Sequence, residues 1–186
     1  MKKLYYSLVI FTISSCAFID NASYPTHIEV DKYFSAYNLN SASSFLVEQS
    51  VELHNNESNS QWIQLLEIFD NRMVIVGIGA LGNELFSIEL DNKNVIIKGL
   101  LHDISAIELV NHLQLIYWPI SELSELEEKG YKIIETQKVR EVFYQLKPYL
   151  VINYENDNKW RHPITLTNIV KKFKLTITPL QQEGEK

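Results

Sequence analysis

Short alternating runs of apolar and polar residues make up most of the chain. Near the C-terminus Phe173, Leu175 and Ile177 alternate with Lys174, Thr176 and Thr178, the period-two pattern of a strand with one buried and one wet side. Comparable runs fill 43–97, divided by polar turns at Ser58-Asn59-Ser60, Asp70-Asn71, Ala80 to Asn83 and Asp91 to Asn94. Connections that short join antiparallel neighbours. The later half repeats the idiom at 131–135, 139–146, 149–154, 164–170 and 172–178. Two runs break the alternation: Met73, Ile75 and Val74, Val76, Ile78 are apolar on both sides, and 62–69 is nearly so. Such strands belong at the centre of a sheet, with apolar matter against each face. That matter is either helix and chain, or part of one face lines a greasy pocket.

Between Ser105 and Gly130 the period becomes helical. Ser105-Ala106-Ile107-Glu108 spells a capping box, in which the hydroxyl accepts from the amide three residues on and the carboxylate reaches back. Ala106, Val110, Leu113 and Tyr117, joined by Ile107 and Leu109, form an apolar stripe that Pro119 stops at Trp118. A second, acidic helix is expected over 121–129, with Gly130 as its left-handed cap. Strands, a helical insert, then more strands describe an α+β domain.

The N-terminus has the shape of an export signal. Lys2 and Lys3 precede an apolar run over 4–13, far short of the ~20 residues that span a bilayer. The run ends in Ile13-Ser14-Ser15-Cys16, and Cys16 is the chain's single cysteine. Those four residues resemble a bacterial lipobox, which implies a diacylglyceryl thioether on Cys16 and a third acyl chain on its new amine. Three chains would hold the protein firmly, whereas one chain holds only reversibly. The other reading is an ordinary secretory signal followed by a buried free thiol. Ala17, in place of Asp, implies sorting to the outer membrane in the scheme the signal resembles. The expected organisation is a signal over 1–15, a lipidated tether over 16–40, one domain over 41–180 and a tail over 181–186.

Charge narrows the partners. The 186 residues carry 17 Lys+Arg and 23 Asp+Glu, net −6. The one basic cluster, Lys171, Lys172 and Lys174, reads as the outer side of a strand. Nucleic acid, held by clustered cations that release counterions, is excluded as a partner.

One motif needs testing. Gly77-Ile78-Gly79-Ala80-Leu81-Gly82 spells G-x-G-x-x-G after an apolar run, the dinucleotide fingerprint. The fingerprint requires a helix to open at the third glycine. Here Phe86, Ile88 and Leu90 alternate with Ser87 and Glu89, and only eight residues separate Gly82 from the turn at Asp91, too few for a crossover helix. The glycines therefore read as a hairpin turn with a bulged approach. No cofactor is expected. His27, His54, His102, His112 and His162 are scattered, and only His102 has a carboxylate, Asp103, beside it. No metal-ligand spacing or nucleophile elbow occurs. Glu122, Glu125, Glu127 and Glu128 read as the wet face of a short helix. Neither a metal site nor catalytic residues are expected, and the chain reads as a non-enzyme.

Three segments, Val76-Gly77 through Leu81-Gly82-Asn83-Glu84-Leu85-Phe86, Leu113-Gln114-Leu115-Ile116-Tyr117-Trp118-Pro119 and Phe173-Lys174-Leu175-Thr176-Ile177, resemble a family of bacterial lipoproteins of unknown function found in gene clusters that build aryl-polyene pigments. The resemblance runs over 61–180. It implies a fold similar to the outer-membrane lipoprotein receptor LolB and its soluble partner LolA: a curved antiparallel sheet, an incomplete β-barrel, with a helical insert covering its mouth. LolB-type receptors pass lipoproteins to the membrane with an exposed apolar loop, for which Leu100 and Leu101 are the candidates, although both also read as core. The function expected is that of a lipoprotein on the periplasmic face of the outer membrane, binding or transferring an acyl or polyene lipid, or a lipoprotein acyl chain, in an apolar cavity. Trp62, Leu66, Ile75, Phe86, Tyr117 and Trp118 are the candidate lining. Partners would be the membrane, through lipidated Cys16, the acyl ligand and a periplasmic carrier protein. The alternative is a structural or assembly lipoprotein with a filled core that docks envelope or biosynthetic proteins.

Overall fold

Alternation decides which face of each strand is buried, and the buried faces assemble one large sheet. The computed structural model describes residues 45–69, 72–90, 95–99, 101 and 103–183. The signal segment, Cys16 and the tether lie outside the described residues, as do Leu100, His27 and His102. A first run of strands comprises β1 (Phe45–His54), β2 (Asn59–Phe69), β3 (Arg72–Ile78), β4 (Glu84–Leu90) and β5 (Val95–Gly99). A second comprises β6 (Tyr131–Glu135), β7 (Val139–Tyr144), β8 (Lys147–Tyr154), β9 (Ile164–Asn168) and β10 (Phe173–Glu183). Each run is an antiparallel meander, and β1 pairs with β10 to join them into a ten-stranded sheet in the order β5-β4-β3-β2-β1-β10-β9-β8-β7-β6. The sheet is not closed, since β5 and β6 are its two edges. The expected antiparallel α+β plan is therefore present.

The buried face carries Val47, Val51 and Leu53 of β1, Leu66 and Ile68 of β2, Met73 and Ile75 of β3, Phe86 and Ile88 of β4, and Leu166, Leu175 and Ile177 across β9 and β10. Each such side chain contributes about 1.5–3 kcal/mol by leaving water. On the other face Val74, Val76, Ile78, Ile63 and Leu65 are half-buried, the apolar second face expected of central strands.

The chain between the meanders forms α1 (Ala106–Tyr117), a 3-10 helix (Ile120–Leu123) and α2 (Glu125–Glu128). Ser105 caps α1 by accepting from the Glu108 amide at 3.2 Å, and Pro119 holds Trp118 extended (ψ 143°) beyond the last turn. Every residue from Glu108 to Tyr117 is buried, far more than the single stripe of a surface helix.

Several expectations need correction. The first turn spans 55–58, with Asn59 and Ser60 already in β2. The Asn55 Oδ1 accepts from the amides of Glu57 and Ser58 at 2.8 and 2.7 Å, a local turn built by the asparagine itself. The acidic helix over 121–129 is broken into a 3-10 turn and a four-residue α-helix; Leu123 and Leu126 alone are buried there among the described side chains, three apart, which leaves it little packing to extend on. Gly130 does take the left-handed conformation (φ 85°). β10 reaches Glu183, so the strand takes in the first residues of the supposed tail. Lys171 and Lys172 lie in the β9–β10 turn instead of on a strand, and only Lys174 occupies an outer strand position.

Candidate functional site

The antiparallel order places the β1–β2, β3–β4, β7–β8 and β9–β10 turns at one end of the sheet, here called the upper end. The G-x-G-x-x-G segment is one of them. It forms the β3–β4 hairpin, with a register shift at Gly77/Ile78 and a turn closed by Gly79 N–H to Asn83 O and Gly82 N–H to Gly79 O, both 2.9 Å. Gly77 has a packing purpose: a Cβ there would collide with the Phe86 ring. The ring lies over the bare glycine and meets Trp62 edge-on, centroids 6.0 Å apart at 77°.

Beside this aromatic pair the upper end opens into a cleft of about 560 Å3. Leu53, Trp62, Leu85, Leu101 and Ile104 give it apolar walls, and Ser60, Gln61, Glu84 and Asp103 a polar edge. Gly99 completes it; with φ 75°, its missing Cβ leaves space for the Leu85 carbonyl and the Phe86 backbone. The Trp62 indole Nε1 is buried with no hydrogen-bond partner. A second, polar hollow of about 380 Å3 adjoins it, lined by Asn55, Asn56, Glu57, Asp103, Glu108, Lys171 and Phe173. Asp103 borders both. Its carboxylate accepts from Ser58 Oγ at 2.7 Å and from Ser60 Oγ. The Glu108 carboxylate, expected to cap its own helix, instead accepts from Lys171 Nζ at 2.8 Å, because the β9–β10 turn brings that lysine alongside.

At the other end of α1 the molecule is packed. The Arg140 guanidinium, fully buried, donates to the Leu115 carbonyl and, at 2.8 Å, to Glu135. The Tyr154 hydroxyl donates to the Ile116 carbonyl at 2.9 Å. These donors satisfy helix-end carbonyls that the helix itself leaves unpaired. Gln49 donates to the Tyr117 hydroxyl at 2.6 Å, and the Tyr117 ring stacks on Trp160 at 3.9 Å. Burial raises the Tyr117 and Tyr154 phenols well above their ordinary range. Burial also favours protonation of Glu135, but Lys159, 2.9 Å away, and Arg140 outweigh it and hold the carboxyl below the usual range. Lys159 is itself lowered by burial and by the Arg140 charge, against the pull of Glu135.

The six residues singled out in the sequence are all buried, and they divide between these regions. Trp62 lines the cleft and Phe86 backs it. Leu66 and Ile75 form part of the core on β2 and β3, while Tyr117 and Trp118 lie in the packed region at the far end of α1. Leu101 is half-buried against the core and borders the cleft. Sequence reasoning missed Asp103, Ile104 and Leu53 as lining, and it missed Leu81, which is 94% exposed at the tip of the β3–β4 hairpin. A leucine between Gly79-Ala80 and Gly82-Asn83 has no strand face to bury it, and that was the available signal.

Residues 46–181 match the family described as "Protein of unknown function (DUF3261)", and the chain belongs to it. No curated protein is significantly similar in sequence. Among solved structures the chain is similar to a domain described as an outer membrane lipoprotein-sorting protein domain from Vibrio parahaemolyticus, with a TM-score of 0.40 and 8% identity, covering 78% of this chain and 87% of that one. Among the described residues no helix is long and apolar enough to cross a membrane.

Proposed function

We propose that this protein is a lipid-anchored envelope protein that binds the apolar chain of a lipid or of another lipoprotein in the upper cleft, with α1 covering the mouth of a trough formed by the sheet. The observation that carries the reading is the cleft itself. At about 560 Å3 it falls within the ~300–1,000 Å3 of small-molecule sites, and its walls are mainly apolar side chains with a polar edge of Ser60, Gln61, Glu84 and Asp103. Burial supplies affinity at ~25 cal/mol per Å2, without a specific polar contact. The packed interior around Tyr117 and Trp118 moves the site away from that end of the helix and toward Asp103. Leu81, at the upper end beside the cleft, is in position to meet a membrane or a periplasmic carrier. Lipidation of Cys16 would hold the protein on the periplasmic face of the outer membrane. Were its gene to lie in an aryl-polyene cluster, as the family resemblance implies, a polyene-acyl chain would be a natural cargo.

The full-length Cys16→Ser protein, titrated with dodecanol, should show a saturable change in Trp62 fluorescence and a bound alcohol by native mass spectrometry. Leu101→Trp, which fills the cleft from a half-buried position, should weaken that binding about ten-fold, the equivalent of ~1.4 kcal/mol of lost contact. A protein that remains empty in both assays would leave the docking-scaffold alternative in its place.

A further inference from the structure

The polar hollow beside the cleft carries a charge pattern that an apolar ligand does not require. Among the described residues, Glu57, Asp103 and Glu108 face it with Lys171 as the one cation, so this part of the lining holds three acids against one base. Lys171 is already engaged with Glu108 Oε2. The other carboxylate oxygen, Glu108 Oε1, is buried without a hydrogen-bond partner, on a side chain 9% exposed. An unpaired acceptor of that kind, in a low-dielectric setting, is costly unless something donates to it. The apolar side of the same hollow is Phe173, whose ring meets His112 edge-on at 5.4 Å.

Anionic groups fit poorly. The α1 N-terminus, the usual attraction for an anion, is already capped by the Ser105 hydroxyl and carries Glu108 in its first turn. A bare metal ion fits no better, because among the described residues no three His, Cys, Asp or Glu side chains converge closely enough to hold one. Spread carboxylates, Asn55 and Asn56 amides and an aromatic ring match a larger organic cation, which gains from charge-assisted hydrogen bonds and from the ring face. Because Asp103 borders both spaces, a molecule whose tail lay in the cleft would bring its head into the hollow.

We infer that the ligand is an amphiphile with an ammonium-bearing head, its chain in the cleft and its head among Glu57, Asp103 and Glu108. This rests on the cleft reading above. The test compares three probes with one tail, dodecylammonium, dodecanol and dodecyl phosphate, on the full-length Cys16→Ser protein at low salt. Dodecylammonium should bind about ten-fold tighter than dodecanol, the scale of one charge-assisted hydrogen bond, and dodecyl phosphate most weakly. The exposed Glu57→Gln change, which leaves the fold untouched, should cut the ammonium preference by about half, and Glu57→Gln with Asp103→Asn should abolish it while dodecanol binding persists. Equal binding of all three probes, tighter binding of the phosphate, or a preference that survives the double variant would overturn the head assignment and leave the cleft standing. Failure of every probe to bind would overturn the cleft reading and this inference together.

Discussion

The two meanders have the same five-strand plan and are built differently. Residues 45–99 carry eight Asp+Glu and three Lys+Arg, whereas residues 131–183 carry five and nine. The second meander grips α1 with polar groups: Arg140 on the Leu115 carbonyl, Tyr154 on the Ile116 carbonyl, Lys171 on Glu108 and Trp160 stacked on Tyr117. The first meander meets α1 through Gln49, which donates to the Tyr117 hydroxyl, and through a broad apolar surface. The cleft lies on the side of the first meander. A helix fastened to one half of a sheet can leave room at the other half without losing its place.

Cutting the strongest fastening should have the largest effect. Arg140→Ala removes the buried guanidinium, strands the Leu115 carbonyl and leaves Glu135 with Lys159 alone. The expected loss is about 4 kcal/mol, read as a fall in the urea midpoint at constant slope. A loss under about 1 kcal/mol would mean that apolar contact with the first meander holds the helix, and the asymmetry between the halves would collapse.

Local features of both halves were legible because local chemistry sets them. The strand runs, the stop at Pro119 and the hairpin at Gly79–Asn83 follow from period, ring geometry and turn residues, and the absent helix after Gly82 separated that hairpin from a nucleotide site. The β1–β10 pairing, which turns two meanders into one sheet, joins residues over a hundred positions apart, and no pattern within either strand encodes the partner. Glu108 was misassigned for the same reason: its capping-box spacing is local, but Lys171, the residue it meets, arrives from the last hairpin. Trp62 and Phe86 were legible as large apolar groups. That Trp62 borders a space and Phe86 backs it, while Leu66 and Ile75 do neither, depends on Leu101, Asp103 and Ile104 completing the cleft.

The fastening also sets a pH dependence. His112 faces Phe173 with its Nδ1 unpartnered, and burial, then the Lys171 charge, pushes its pKa from 6.5 down to about 3. The other charged groups on this side are Glu108, paired with Lys171, and Asp103 at the hollow. Below pH 6.5 the unfolded chain accepts a proton that the folded ring refuses, so stability falls with acidification down to about pH 3, at up to ~1.4 kcal/mol per unit. Between pH 7 and 5 the loss should be about 2 kcal/mol. Glu135, held low by Lys159 and Arg140 against its burial, adds a loss in the same direction only once the pH reaches the ordinary carboxylate range. Urea titrations at pH 7 and 5 measure the slope, and His112→Gln should flatten it. An unchanged slope in that variant would assign the acid sensitivity elsewhere.

The smallest effect compares matching hairpin tips at the upper end. On the first meander the left-handed position is Gly82 (φ 79°), whereas on the second the two-residue turn is Gln145-Leu146, with φ 47° and 66°. Both central residues of such a turn need positive φ, which is why Asn-Gly is the usual choice, and a leucine held there costs roughly 1–2 kcal/mol. Leu146 is 83% exposed, so replacing it forfeits little burial. Glycine's extra freedom in the unfolded chain takes back roughly 0.5–1 kcal/mol. Leu146→Gly should therefore stabilise the protein by about 0.5 kcal/mol, and by the same difference Gly82→Ala should destabilise it by about 0.5 kcal/mol, both read from thermal midpoints. If Leu146→Gly instead destabilises, the leucine is making contacts that its exposure hides, and the second tip is not the strained counterpart of the first.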